Sequence, residues 1–233
     1  MIRCGAATHG ANAPASDRFL TMTLHASSAQ PPRLILASSS PYRRALLERL
    51  RIPFDVCVPA LDETPLAAEA PADTALRLAQ AKARAVAARE AAAGPDAAPT
   101  LVIGSDQVAT FDGLQIGKPG SHEKAFEQLR MMRGRVVEFH SALCLFDSAR
   151  EFAQTEDVVT RVRFRDLPNA ELEAYLLAET PYDVAGSAKS ESLGIALLES
   201  IDSDDPTALV GLPLIALTRM LREAGYPLLG GVR

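Results

Sequence analysis

Two periodicities divide the chain. Short continuous apolar runs at residues 33–37 and 101–103 predict buried strands, and residues 54–58 and 61–65 predict two more. Asp112-Gly113 stands between the apolar runs 108–111 and 114–116, which predicts a hairpin. Residues 136–146 and 155–164 read as long β segments, the second with a period of two, and residues 195–201 read as a last strand. Between these lie helical stretches: 42–50, 72–92, one capped by Ser121 that runs to Arg133, one capped by Asn169 over 170–178, and 214–223 opened by Pro213. Strands interleaved with helices predict an α/β architecture.

Residues 100–108 carry the first chemical signal. The apolar run ends at Gly104-Ser105, and Asp106 and Gln107 follow. This pattern predicts a strand that ends with a carboxylate at the lip of the sheet, where α/β proteins bind ligands. An ordinary turn acid fits the same residues.

Lys82 is the second signal. It falls inside the apolar arc of Ala75, Leu78, Ala79, Ala83 and Val86 on the predicted helix. A lysine charge there either snorkels to solvent or meets a partner, since an unpaired charge resists desolvation. We favour a partner anion at the end of the sheet. Ser38, Ser39 and Ser40 precede Pro41 at a helix start, with Arg43 and Arg44 just beyond. Free N–H groups at such a start bind anions, and a capped helix with a solvated basic side is the alternative. Gly117-Lys118-Pro119-Gly120 returns a lysine after the hairpin, but without the frame of a Walker A loop. Residues 182–194 join small residues to Lys189 and Glu191 in a polar loop, either near a ligand or as a surface connector. The acids at 202–205 lack the ordered spacing of a calcium loop and read as a turn.

Composition narrows the classes. At 233 residues the chain can bury one large core or two lobes. The 29 acids outnumber the 24 lysines and arginines, for a formal charge of -5, which argues against a nucleic-acid binder. Cys4, Cys57 and Cys144 show no metal-ligand spacing and fit a reducing, cytoplasmic setting. No window reaches the roughly 18 consecutive apolar residues of a membrane span, so no membrane partner is expected. Residues 1–32 lack apolar periodicity and a signal-peptide core, and read as a disordered leader or an over-extended start. Residues 33–228 read as the folded domain.

The candidate site residues form two sets. Asp62, Glu63, Asp106 and Glu191 are acids; Arg43, Arg44, Lys82, Lys118 and Lys189 are cations. Acids that hold Mg²⁺ or Mn²⁺ beside cations that neutralise phosphate suit metal-assisted phosphoryl chemistry. The four histidines are scattered, which argues against zinc hydrolysis.

Ser38-Ser-Ser-Pro-Tyr-Arg43, Asp62-Glu63, Leu78-Ala-Gln-Ala-Lys82-Ala83, Gly104-Ser-Asp106-Gln107, Gly117-Lys118-Pro119 and Val210-Gly-Leu-Pro213 stand in one order. In that order they resemble the Maf-like nucleotide pyrophosphatases, over about residues 33–226. The resemblance implies an elongated Maf/ITPase-like α/β fold, with a mixed central sheet and two lobes flanking a cleft. It implies hydrolysis of a nucleoside triphosphate between the α and β phosphates, dependent on a divalent metal. It also implies Asp106 as the general base and Ser38, Arg43, Lys82 and Lys118 as phosphate contacts. Glu63, with Asp106, is implied as a metal-holding acid, and a homodimer is what the family suggests. Tyr42, Gln107 and Glu191 occupy the positions that resemble the subgroup acting on 7-methyl-GTP, with Tyr42 where that subgroup more usually has Trp. Canonical UTP or dTTP hydrolysis, or a nucleotide-binding regulator of division with little catalysis, are the alternative expectations.

Overall fold

A computed structural model describes residues 31–92, 94 and 98–229. The expected leader therefore lies outside the described residues, apart from Pro31 and Pro32, as do Cys4, His9 and His25. Residues from Pro31 onward form one compact unit.

The elements in order are β1 (Arg33–Ala37), α1 (Pro41–Glu48), β2 (Asp55–Val56), α2 (Pro71–Ala91), β3 (Thr100–Phe111), β4 (Leu114–Ile116), α3 (His122–Met132), β5 (Val136–Asp147), β6 (Phe152–Phe164), α4 (Asn169–Glu179), β7 (Leu198–Asp202) and α5 (Leu214–Glu223). The sheet runs β2-β1-β3-β5-β6-β7, with β4 added to β3. β1 is parallel to β2 and β3, whereas β3, β5, β6 and β7 pair antiparallel. This is the mixed α/β sheet expected from the sequence.

Alternate residues of a strand face opposite sides of the sheet, and the core follows that rule. Ile35, Val102, Cys144 and Phe146 face α2 and pack on its Ala75, Ala79, Ala83 and Val86. The other side carries two separate clusters. One joins Leu34, Leu101, Ile103 and Leu143 to α1 and α5. The second joins Ala109, Phe111, Val137 and Phe139 to α3 and α4. Cys144 is a small core residue in this packing, and burial pushes its thiol up to about 12.

Several expectations are corrected. β3 does not break at Gly104-Ser105; it continues to Phe111, because β5 pairs with it from Leu101 to Thr110. Asp106 is thus in mid-strand. Residues 61–65 form no strand: the Asp62 carboxylate accepts from the Thr64 amide at 2.9 Å and its hydroxyl at 2.6 Å, which closes a local turn instead. β2 is only two residues long. Residues Leu193–Leu197 form a 3-10 turn, so the last strand begins at Leu198. Pro168, not Asn169, precedes α4 at the cap position, and the Asn169 side-chain Oδ1 instead accepts from Arg133 Nη1 at 2.8 Å. Asp202 ends β7 rather than opening the expected turn, which begins at Ser203; the buried Asp205 accepts from the Ile215 amide at 2.6 Å and so caps α5.

Candidate active site

The site grows from a gap along one edge of β3. β1 pairs with β3 as far as Gly104, and β4 pairs with it only from Ala109. Residues 105–108 therefore have no strand neighbour on that edge. Residues 38–40 leave β1 on one side of the gap, and Gly117 and Lys118 leave β4 on the other. A cleft of about 620 Å³ opens there, within the range of small-molecule sites.

Ser38, Tyr42, Arg43, Glu63, Lys82, Asp106, Gln107 and Lys118 all line it. Glu191 does not; it is exposed, on the turn after Lys189. Asp62 is also outside the lining, and Arg44 pairs with Glu48 along α1 at 3.0 Å. A more open depression lies along α3 between Glu123 and Arg133, with charges of both signs and no convergent set.

Helix α2 delivers Lys82. Its buried stripe presses on β3 at Gly104, where a Cβ would stand 2.1 Å from the Ala79 carbonyl oxygen. Glycine is required by this close approach. One turn along, the buried Lys82 Nζ donates to Asp106 Oδ1 at 2.7 Å and to Glu63 Oε2 at 2.8 Å. The partner expected for Lys82 is therefore a carboxylate pair. Glu63 reaches in from the 61–70 loop, which is fastened to α2 by Arg77. Arg77 donates to both oxygens of Glu69, from Nε at 2.6 Å and Nη2 at 2.7 Å. Those bonds hold the Glu69 carboxyl down at about 2.

The residues after β1 are locally self-supporting. Ser40 caps α1, accepting from the Arg43 amide at 3.3 Å, and Pro41 occupies its first turn. The Ser38 hydroxyl accepts from the Ser40 amide at 3.1 Å. Arg43 Nε donates to the Gly211 carbonyl at 2.8 Å, and its Nη1 points to Ser38 Oγ at 3.5 Å. Burial lowers the Arg43 pKa, opposed by the carboxylates of Asp106 and Glu63; an arginine remains charged in this setting.

Gln107 points to the opposite side of β3 from Asp106. Its Nε2 donates to Ser141 Oγ at 2.9 Å and to the carbonyls of Ala208 at 3.1 Å and Leu209 at 2.9 Å. Ser141 also donates to Ala208 O, and Ser105 to Gly211 O. A strap at residues 208–211 is thus tied by its carbonyls to β3, β5 and α1. Gly211 sits at φ 111°, with Arg43 Nε only 3.4 Å from where a Cβ would be. With its nitrogen committed, Gln107 keeps Oε1 free of hydrogen bonds among the described residues.

Three contributors escape sequence reading. Gly211 acts through its backbone carbonyl, which accepts from Ser105 Oγ and Arg43 Nε, and no side-chain pattern reveals that pairing. Asp183 lines the cleft beside Val184 and Ala185, yet its surroundings in the sequence have no period. Its loop is held by Gly120 N to Tyr182 O at 3.0 Å and by His122 Nδ1 to the Tyr182 hydroxyl at 2.9 Å.

Glu63 and Asp106 each give one oxygen to Lys82 and have a second without a hydrogen bond among the described residues. Two such oxygens in a cleft that Arg43 and Lys118 also line fit Mg²⁺ or Mn²⁺, which bind one or two carboxylates together with substrate phosphates and water. No cluster of three or more acids, histidines and cysteines is found among the described residues, so an all-protein cage for a metal is not what this arrangement provides.

Among the described residues no helix is long and apolar enough to cross a membrane. A family model described as Maf-like protein matches residues 33–224. The 7-methyl-GTP pyrophosphatase of Paraburkholderia xenovorans (strain LB400) is 76% identical over 201 residues, covering 86% of this chain and 96% of that protein. The 7-methyl-GTP pyrophosphatase of Burkholderia pseudomallei (strain K96243) is 74% identical over 209 residues, 90% of this chain and 94% of its own length. That of Cupriavidus pinatubonensis (strain JMP 134 / LMG 1197) is 67% identical over 196 residues, 84% and 95% respectively. The cleft residues fall within the matched span, and the chain belongs to the Maf-like protein family.

Proposed function

We propose that the chain is a nucleoside triphosphate pyrophosphatase that hydrolyses 7-methyl-GTP to 7-methyl-GMP and pyrophosphate. The observation that carries this reading is the buried Lys82 between Asp106 and Glu63, facing the gap that Ser38, Arg43 and Lys118 flank. Relatives above 70% identity bear that activity in their names.

In this reading Ser38, Arg43 and Lys118 take the phosphate oxygens, and Lys82 adds positive charge beside them. Asp106 removes a proton from a water molecule, which attacks the α-phosphorus. The bond from that phosphorus to the α–β bridging oxygen breaks, and pyrophosphate leaves with the electron pair. Glu63 and Asp106 would hold a divalent cation, which supplies charge neutralisation on the phosphates. Gln107 Oε1 is an acceptor that suits the N–H donors of a guanine edge, and Tyr42 offers a ring for stacking on a cationic base. Glu191 would join the base end if its turn closes over bound nucleotide. A cytoplasmic setting and a homodimer complete the proposal and rest on the cysteine pattern and the family resemblance.

A pyrophosphate-release assay over a nucleotide panel, with Mg²⁺ or Mn²⁺ and with EDTA, tests it. The reading expects metal-dependent pyrophosphate release with 7-methyl-GTP preferred. Preference for UTP or dTTP would overturn the substrate, and silence across the panel would overturn the enzyme.

A further inference from the structure

Residues 115–118 and 183–185 both line the cleft, and side chains of α3 join the two segments. Gln128 stands between them. Its Nε2 donates to the Gly117 carbonyl at 3.1 Å, and its Oε1 accepts from the Ser187 hydroxyl at 2.6 Å. A carbonyl can only accept, so the amide nitrogen must face Gly117 and the amide oxygen Ser187. An ionised glutamate of the same length could not donate to Gly117. Ser187 is fully buried and holds a left-handed backbone, φ 54°. A residue with a side chain keeps that conformation only where its surroundings hold it, and its hydroxyl is held by Gln128.

A second link lies at the other end of the Lys118 loop. The Gly120 amide donates to the Tyr182 carbonyl at 3.0 Å, and the Tyr182 hydroxyl meets His122 Nδ1 at 2.9 Å. Lys118 and Pro119 are thus bracketed. Gly117 is tied to Ser187 through Gln128, and Gly120 is tied to Tyr182 directly. The two links close a ring through residues 117–120 and 182–187. A phosphate contact from a flexible lysine depends on where its backbone stands, and a displacement of about 1 Å can cost on the order of 10²-fold in rate.

We propose that Gln128 is a positioning residue for the phosphate contact of Lys118, bracing the Lys118 loop against the 182–187 loop. This rests on the functional reading above and deepens it. Gln128 itself does not line the cleft, so it acts through the two loops and not on the substrate.

The test is Gln128→Met, which keeps length and helix propensity and removes both bonds. Gln128 is half-buried on the surface of α3, so the fold should survive. The value of kcat/KM for 7-methyl-GTP should fall about tenfold, the scale of a lost hydrogen bond. In a Lys118→Ala protein the same change should cost less than about twofold, because no lysine is left to aim. A purely structural role would lower both backgrounds alike. Amide hydrogen exchange reads the ring without substrate. The Gly120 and Ser187 amides, which donate to Tyr182 O and Val184 O, should lose protection together in Gln128→Met. Wild-type protection at either amide, an unchanged kcat/KM in the first background, or an equal fall in both backgrounds would overturn the inference. If wild type releases no pyrophosphate from 7-methyl-GTP, the functional proposal fails, and the exchange measurement still decides whether Gln128 holds the two loops together.

Discussion

Gly104 lies against Ala79 so closely that a Cβ on residue 104 would stand 2.1 Å from the Ala79 carbonyl oxygen and 2.9 Å from the Ala83 amide. That contact sets the height of α2 over β3, and hence the reach of Lys82 to Asp106. Gly104→Ala should push the helix outward. Backbone atoms are what the methyl meets, so no flexible side chain can yield. Stability should fall by about 1–3 kcal/mol, the usual range for overpacking, and kcat should fall as Lys82 leaves its 2.7 Å contact. Urea denaturation and steady-state kinetics on one preparation check both. Wild-type values for both would show that the helix position is not set there.

Gln107 ties β3 to the strap at residues 208–211, and the proposed function gives its Oε1 to the base. Gln107→Thr removes the donor to Ala208 O and Leu209 O and the acceptor Oε1 together. A site that loses a hydrogen-bond partner for a substrate N–H discriminates less well. The account expects KM for 7-methyl-GTP to rise about tenfold, the scale of a lost hydrogen bond, and activity on pyrimidine nucleotides to gain relative to it. An unchanged substrate profile would remove Gln107 from base selection.

His140 gives a pH signature away from the cleft. Its Nδ1 is 2.7 Å from Asp157 Oδ2, and that bond raises its pKa above the ordinary value against burial, with Glu138 adding to the rise and Arg161 opposing it. A raised folded-state pKa means the stabilisation is fully present below the unfolded value of about 6.5 and is lost as pH rises through the folded value. The stability difference between wild type and His140→Gln should therefore be largest at acid pH and shrink towards alkaline pH. Denaturant midpoints across that range measure it, and a pH-independent difference would contradict the assignment.

Much of this was legible in the chain itself, for reasons that separate the successes from the failures. The span of α2 and the odd placement of Lys82 followed from helical periodicity, a local property. Ser40 and Ser121 acted as caps, since both accept from the amide three residues on. What failed depended on pairing between distant residues. Gly104-Ser105 looked like a strand end, and β1 does stop pairing at Gly104, but β5 carries β3 past it. The same antiparallel pairing converts Asp106 from a residue at a lip to one beside a gap in mid-strand. Residues 61–65 looked β-like, yet Asp62 found Thr64 before any strand neighbour. The place of Asp183 in the cleft lining was invisible because it depends on where its loop lands, and Gly120 and His122 hold that loop through Tyr182.

The central claim is that Asp106 activates water for cleavage between the α and β phosphates. The direct measurement is pyrophosphate release from 7-methyl-GTP by wild type and Asp106→Asn, with circular dichroism to compare the folds. Asn keeps the shape, and its amide oxygen can still accept from Lys82 Nζ, but it cannot take a proton. The account predicts an intact fold, pyrophosphate as the wild-type product, and a kcat lower by roughly 10²–10⁴-fold in the variant, the usual contribution of a general base. Near-normal turnover in Asp106→Asn, or orthophosphate in place of pyrophosphate from wild type, would contradict it.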